Sequence, residues 1–168
     1  MQRKESADPF TLALDYLARR DRSIAEVESH LDAKGVATEE IAEVLKRIVS
    51  LGYLDEDRLA RAMVRDSRLA SRGPRAAWLK IRRKKIEGWS IERVTEEWRL
   101  GQDSAFAPRL DSDPDEDGGR DPELEVALAF VRRRYPDHAT DRRQAQRALG
   151  ALLRRGFSFE KAKQALGI

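Results

Sequence analysis

Apolar residues along this chain recur with helical spacing. Between Thr38 and Leu51, the side chains Ile41, Val44, Leu45, Ile48 and Val49 fall at i, i+3, i+4, i+7 and i+8, which lines one face of an α-helix. Thr38 is placed to cap that helix, Glu39 and Glu40 suit its partly positive N-terminus, and Gly52 supplies a left-handed stop. Upstream, Ser23 opens SIAEVESHLDAKG, with Ile24, Val27 and Leu31 on one side and Lys34-Gly35 at the end. Earlier still, Phe10, Ala13, Leu14 and Leu17 make a short apolar stripe that ends before Arg19-Arg20-Asp21. Residues 10–52 therefore read as three short helices, which must pack on one another to persist because helices below about 12–15 residues are marginal alone.

The same three-part plan returns twice. Asp55 caps a helix through about Ser71 with Leu59, Ala62, Met63 and Ala70 inward; Gly73-Pro74 breaks it and opens PRAAWLKIRRKKI, predicted to end near Ile86 to Gly88; Ser90 caps a third helix with Ile91, Val94 and Trp98 on one face. In the last copy Pro122 starts ELEVALAFVRRRYP, Thr140 or Asp141 starts DRRQAQRALGALLRRGF, and Ser158 caps FEKAKQALG. The expected fold is all-α, an elongated array of three tandem three-helix repeats at 10–52, 53–100 and 122–168. A flexible tail at 1–9 precedes the array. An acidic linker at 101–121, with two prolines, three glycines and a run of acids, interrupts it.

Composition fits this pattern and removes several functions. The chain of 168 residues is 38% charged and only 7% aromatic, so helices with solvated faces are favoured over a large sheet core. It has no cysteine and only His30 and His138, which excludes disulfide scaffolds, thiolate zinc sites and cysteine nucleophiles and argues against a histidine-based catalytic or metal centre. Both histidines read as ordinary surface residues. Glu39/Glu40 and Glu96/Glu97 are adjacent in sequence, so they point to different azimuths of a helix, with no apolar surround for acid–base chemistry. The glycines sit at helix stops and form no phosphate-loop motif. A non-enzymatic protein without cofactor or metal follows. With no spanning segment or signal peptide, the cytoplasm is the expected compartment, with no membrane partner.

Charge adds a direction. The net +3 divides into −2 over residues 1–51, +5 over 52–100, −6 over 101–123 and +6 over 124–168. Basic blocks of this kind point to a polyanionic partner, single-stranded or duplex DNA met by basic helices, against the plainer reading of solvated helix faces. In the central block, Ala77, Ile81 and Ile86 facing the core leave Arg75, Arg82, Arg83 and Lys85 outside, with Arg72 just ahead of them. Trp78 reads as a half-buried packing residue or as a stacking surface. A second group comprises Arg132, Arg133, Arg134, Arg142, Arg143, Arg147, Arg154 and Arg155, part of whose charge simply suits helix C-termini. Short three-helix units also fit a helix-turn-helix regulator of duplex DNA, yet EEIAEVLKRIVS and IERVTEEW carry too much acid for a recognition helix. A helical adaptor for another protein is the third alternative.

The runs SIAEVESHLDAKG, IAEVLKRIVS, LGYLDEDRLARAMVRD, RGPRAAWLKIRRK and RALGALLRRGFSFEKAKQAL resemble the RecX regulatory proteins, over roughly residues 12–98 and 124–167. Gly52-Tyr53-Leu54-Asp55 followed by Arg58 and Ala60, and Arg155-Gly156-Phe157-Ser158, are the most specific pieces. The resemblance implies a curved monomer of tandem repeats lying along the groove of a RecA recombinase filament, which inhibits or modulates filament extension, nucleotide hydrolysis and strand exchange in DNA repair, recombination and the SOS response. On that view Arg72, Arg75, Arg82, Arg83 and Lys85, helped by Arg142, Arg143 and Arg147, face the filament. Two departures stand out: Lys85 occupies a position where the family usually has glycine, so the helix is expected to run on through IEGWS, and the acidic connection is longer than usual.

Overall fold

The computed structural model describes residues 8–101 and 121–168, so residues 1–7 of the expected tail and most of the expected linker lie outside the described residues. All regular structure among the described residues is helical: α1 Pro9–Leu17, α2 Ile24–Asp32, α3 Thr38–Ser50, α4 Glu56–Leu69, α5 Pro74–Arg83, α6 Ile91–Leu100, α7 Pro122–Arg134, α8 Arg142–Arg154 and α9 Phe159–Leu166. No helix among them is long and apolar enough to cross a membrane.

The described residues form two compact units: those up to 62 with 81–88, and 63–80 with those from 89 onward. In the first unit α1, α2 and α3 pack pairwise around Ala13, Val27, Leu31, Ile41 and Ile48, side chains that the helical period points inward, together with Leu54 from the turn after α3. In the second, α9 packs on α7 and α8 around Ala127, Phe130, Val131, Ala148, Leu152, Phe157 and Leu166. Val94 and Trp98 of α6 are fully buried, and the Trp98 indole N–H donates to the Arg72 carbonyl at 3.1 Å, giving a buried indole the partner it requires.

Most helix starts follow the sequence. Ser23 and Glu26 complete a reciprocal capping box on α2; Asp55 accepts the Arg58 N–H; Ser90, Asp141 and Ser158 cap α6, α8 and α9. Asp8 caps α1 and Pro9 is already helical, so the helix begins ahead of residue 10. Thr38 is a first-turn residue and not a cap: Ala37 holds the cap position without a side-chain bond, leaving Glu39 and Glu40 to complement the exposed N–H groups.

Carboxylates borrowed from other helices finish two N-termini. Glu56 accepts the Ile24 N–H at 2.8 Å, and Glu123 accepts the Ser158 N–H at 3.0 Å. Burial pushes the Glu123 carboxyl above its ordinary range, and neighbouring Asp121 adds to this, against the Ser158 N–H, Lys161 and Arg99, which pull it down.

Helix ends carry the main departure from the sequence reading. The middle helix of each predicted triple closes with a backbone bond from the residue just past a left-handed position to a carbonyl five residues earlier: Val36 to Leu31, Ile86 to Ile81 and Phe157 to Leu152. In α5 the left-handed residue is Lys85 itself, at φ 55°, so the helix stops at Arg83 and does not run on through IEGWS. Left-handed backbone costs an L-residue about 1–2 kcal/mol. Burying Ile86 beside Ile81, worth about 1.5–3 kcal/mol for a side chain of this kind, offsets it. α4 ends similarly, with Ser71 at φ 51°; Ala70 falls beyond the last helical residue and is exposed, not inward.

Within the second unit, the α4–α5 turn and the α8–α9 turn meet backbone to backbone. The Gly73 N–H donates to the Arg155 carbonyl at 3.0 Å and the Arg75 N–H to the Gly156 carbonyl at 3.3 Å. The contact has no room for side chains: a Cβ on Gly73 would lie 2.4 Å from the Gly156 oxygen, and one on Gly156 would lie 2.4 Å from the Ala76 nitrogen.

Candidate functional site

All eight sequence-predicted basic residues are exposed, as the helical period requires. In the first unit Ile81 and Ile86 are buried, which turns Arg82, Arg83 and Lys85 to solvent. Lys84 differs from its neighbours, because its ammonium pairs with Glu26 on α2. Burial raises the Glu26 carboxyl, but the bonds from Lys84 and the Ser23 N–H and the charges of Lys84 and Arg22 together hold it below its usual value. Arg83, Lys84 and Lys85 line a cavity of about 340 Å³ with Tyr16, Glu26 and His30. There the Tyr16 ring stacks on His30 at 4.0 Å, and the Arg22 guanidinium lies 4.0 Å from the Tyr16 ring centre. Burial, followed by the charges of Lys34, Arg22 and Arg19, lowers the His30 pKa. His30 is thus a packed partner of Tyr16, more engaged than a surface residue. His138 contacts the Tyr135 carbonyl within its turn.

In the second unit Ala77 is buried, Trp78 is half-buried, and Arg72 and Arg75 are exposed at either side of the Gly73-Pro74 break. Arg142, Arg143 and Arg147 lie exposed on the first half of α8, whose start is fixed by Asp141 accepting the Arg143 N–H at 2.7 Å. These three do not line the cavity that Arg72 occupies. Arg72 instead shares a cavity of about 720 Å³ with Arg133, Arg134, Arg154 and Arg155, at the C-terminal ends of α7 and α8. Arg155 is anchored: its guanidinium donates to the Ala70 and Ser71 carbonyls at 3.0 and 3.1 Å and sits 4.3 Å from the Phe130 ring centre.

The α7 and α8 arginines were legible as a basic run. Their meeting with Arg72 was not, because it depends on the Gly73–Gly156 contact between turns far apart in sequence. The only hint was a glycine next to a basic residue in both turns, which as a sequence feature reads simply as a helix stop. No group of three or more His, Asp or Glu side chains among the described residues is placed to hold a metal.

Sequence models for RecX match both ends of the chain: the first three-helix domain over residues 10–47 and the third over residues 121–166. The regulatory protein RecX of Mycobacterium sp. (strain JLS) is 30% identical over 162 residues, covering 95% of this chain and 79% of that protein. The regulatory protein RecX of Bacillus licheniformis is 40% identical over 79 residues, 46% of this chain. The chain spans a third to a half of several longer relatives, with matched segments amounting to 30%, 38% and 50% of the Bacillus licheniformis, Geobacillus kaustophilus and Geobacillus thermodenitrificans proteins. The crystal structure of RecX from Lactobacillus salivarius shares the fold, with a TM-score of 0.70 at 18% identity over 96% of this chain and 94% of that one. The 30% identity with the Mycobacterium protein over 95% of this chain, together with matches to two of the family's domains, shows that the chain belongs to the RecX family of regulatory proteins.

Proposed function

We propose that this protein is a non-enzymatic regulator of the RecA recombinase, chiefly an inhibitor, which binds along the RecA–DNA filament and limits its extension, ATP hydrolysis and strand exchange. Membership of the RecX family carries this reading, and the exposure of every basic residue assigned to the contact supports it. The contacting modules are the repeats at 10–52, 53–100 and 122–168, joined through 101–121, acting as a monomer in the cytoplasm. Arg72, Arg75, Arg82, Arg83 and Lys85, helped by Arg142, Arg143 and Arg147, meet acidic protein surface and DNA phosphate. Guanidinium groups suit this task because they stay charged and bond oxyanions in pairs. Several contacts, each weak and salt-screened, bridge adjacent recombinase subunits and oppose the subunit rearrangement that hydrolysis requires.

The test is DNA-dependent ATP hydrolysis by RecA with increasing amounts of the protein. Hydrolysis is expected to fall at or below stoichiometric ratios, and Arg82→Glu with Arg83→Glu to raise the amount needed by about tenfold, the effect of about 1.4 kcal/mol. Unchanged hydrolysis together with no filament binding at low salt overturns the proposal.

A further inference from the structure

The cavity in the second unit is lined by five arginines from three places in the sequence: Arg72 from the α4–α5 turn, Arg133 and Arg134 from α7, and Arg154 and Arg155 from the end of α8. Among the described residues no carboxylate lines it, and none of Arg72, Arg133, Arg134 and Arg154 is ion-paired. The C-terminal ends of two helices bring about −0.5 charge each, which favours cations there, but two such ends balance only about one of the five charges. Like charges gathered around one cavity repel, so an anion that fills the space relieves their repulsion.

The backbone at Arg72 and the side chain of Arg155 are also held in place. The Gly73 N–H on the Arg155 carbonyl fixes Arg72's turn against the end of α8, and Arg155 is pinned by two carbonyls and the Phe130 ring. Preformed donors lose less freedom on binding. The volume, about 720 Å³, exceeds the needs of a single phosphate, and the half-buried Tyr135 adds an aromatic surface to its wall.

We propose that this cavity is a binding site for a run of linked phosphate groups, recognised by Arg72, Arg133, Arg134 and Arg154 around a fixed Arg155, and that it works without any recombinase. The shared chemistry is a chain of phosphates, whether the backbone of a single-stranded nucleic acid or a free polyphosphate. Arginine forks bond the oxygens in pairs, and the lining among the described residues holds no side-chain carboxylate or amide to select a base.

The experiment uses the full chain alone, with fluorescence anisotropy of a labelled oligothymidylate across a salt series and inorganic tripolyphosphate as competitor. Binding is expected, with a variant carrying Arg133→Ala, Arg134→Ala and Arg154→Ala weakened at least about tenfold at low salt. Its salt slope should fall by about 2, since each single-strand phosphate contact contributes about 0.7. Lysine at the same three positions is expected to restore part of the affinity, keeping charge but losing the paired geometry. Removing three charges elsewhere, by Arg20→Ala, Lys46→Ala and Arg65→Ala, is expected to leave most of the affinity intact. Displacement by tripolyphosphate at matching phosphate concentration assigns the site to free chains; displacement only at large excess assigns it to the strand. Absence of binding to both probes overturns the proposal, as does equal loss in the two alanine triples. Circular dichroism melts of each variant establish that it is folded.

Discussion

Lys85 shows how one residue serves two demands. Its left-handed backbone lets Ile86 fold back over Ile81, while its side chain stays exposed beside Arg82 and Arg83. Glycine would meet the first demand without strain, so Lys85→Gly is expected to stabilise the protein by about 1 kcal/mol, an effect tempered by glycine's freer unfolded chain. Under the proposed function the same change removes a contact and weakens RecA inhibition. Urea denaturation checks the first expectation, and a lowered midpoint contradicts it. The exposure of the basic residues was legible because the apolar period fixes which azimuth of α5 faces water. Lys85's backbone was not, because nothing in lysine's own propensity announces a left-handed stop; burial of the next side chain decides it.

At the scale of elements, helix starts were largely readable, since a capping side chain acts within three residues of itself: Ser23, Asp55, Ser90, Asp141 and Ser158 are all used as their chemistry dictates. Thr38 shows that a competent side chain does not secure the role. The glycine contact between turns lies outside any local rule, because the Gly73 N–H meets a carbonyl 82 positions further along the chain, at Arg155. Its tightness makes it testable. Gly156→Ala combines about 1–2 kcal/mol of left-handed strain with about 1–3 kcal/mol of overpacking against backbone, and Gly73→Ala carries the overpacking alone. Denaturant midpoints are expected to fall in both variants and further for Gly156→Ala. A loss under about 0.5 kcal/mol in either, the range of ordinary surface substitutions, means that the turns separate readily.

For the whole molecule, a net charge of +3 conceals blocks of +5 and +6 on either side of −6. This arrangement makes ionic strength the natural variable in any binding measurement. The all-helical class was legible from periodicity and composition alone. The proposed function came from the particular runs that resemble RecX proteins, since periodicity describes a stripe that any helical repeat must bury, and the sequence offered no acid, base or ligand cluster to set one chemistry apart. The arginine cavity was hidden for the reason the glycine contact was: its members are assembled by tertiary structure.

That contact also bears on the order of folding. Caps and stops act over a few residues and close early, whereas the meeting of Gly73 with Gly156 must await closure of a long loop, whose entropic cost grows with length. A contact that forms late is absent from the folding transition state, so damage to it shows in the rate of escape from the native state. In stopped-flow chevrons, Gly73→Ala is expected to raise the unfolding rate and leave the refolding rate nearly unchanged; slowed refolding instead would place the contact in the nucleus. If the contact is late, the arginine cavity it helps to hold is among the last features of the second unit to form and the first to be lost.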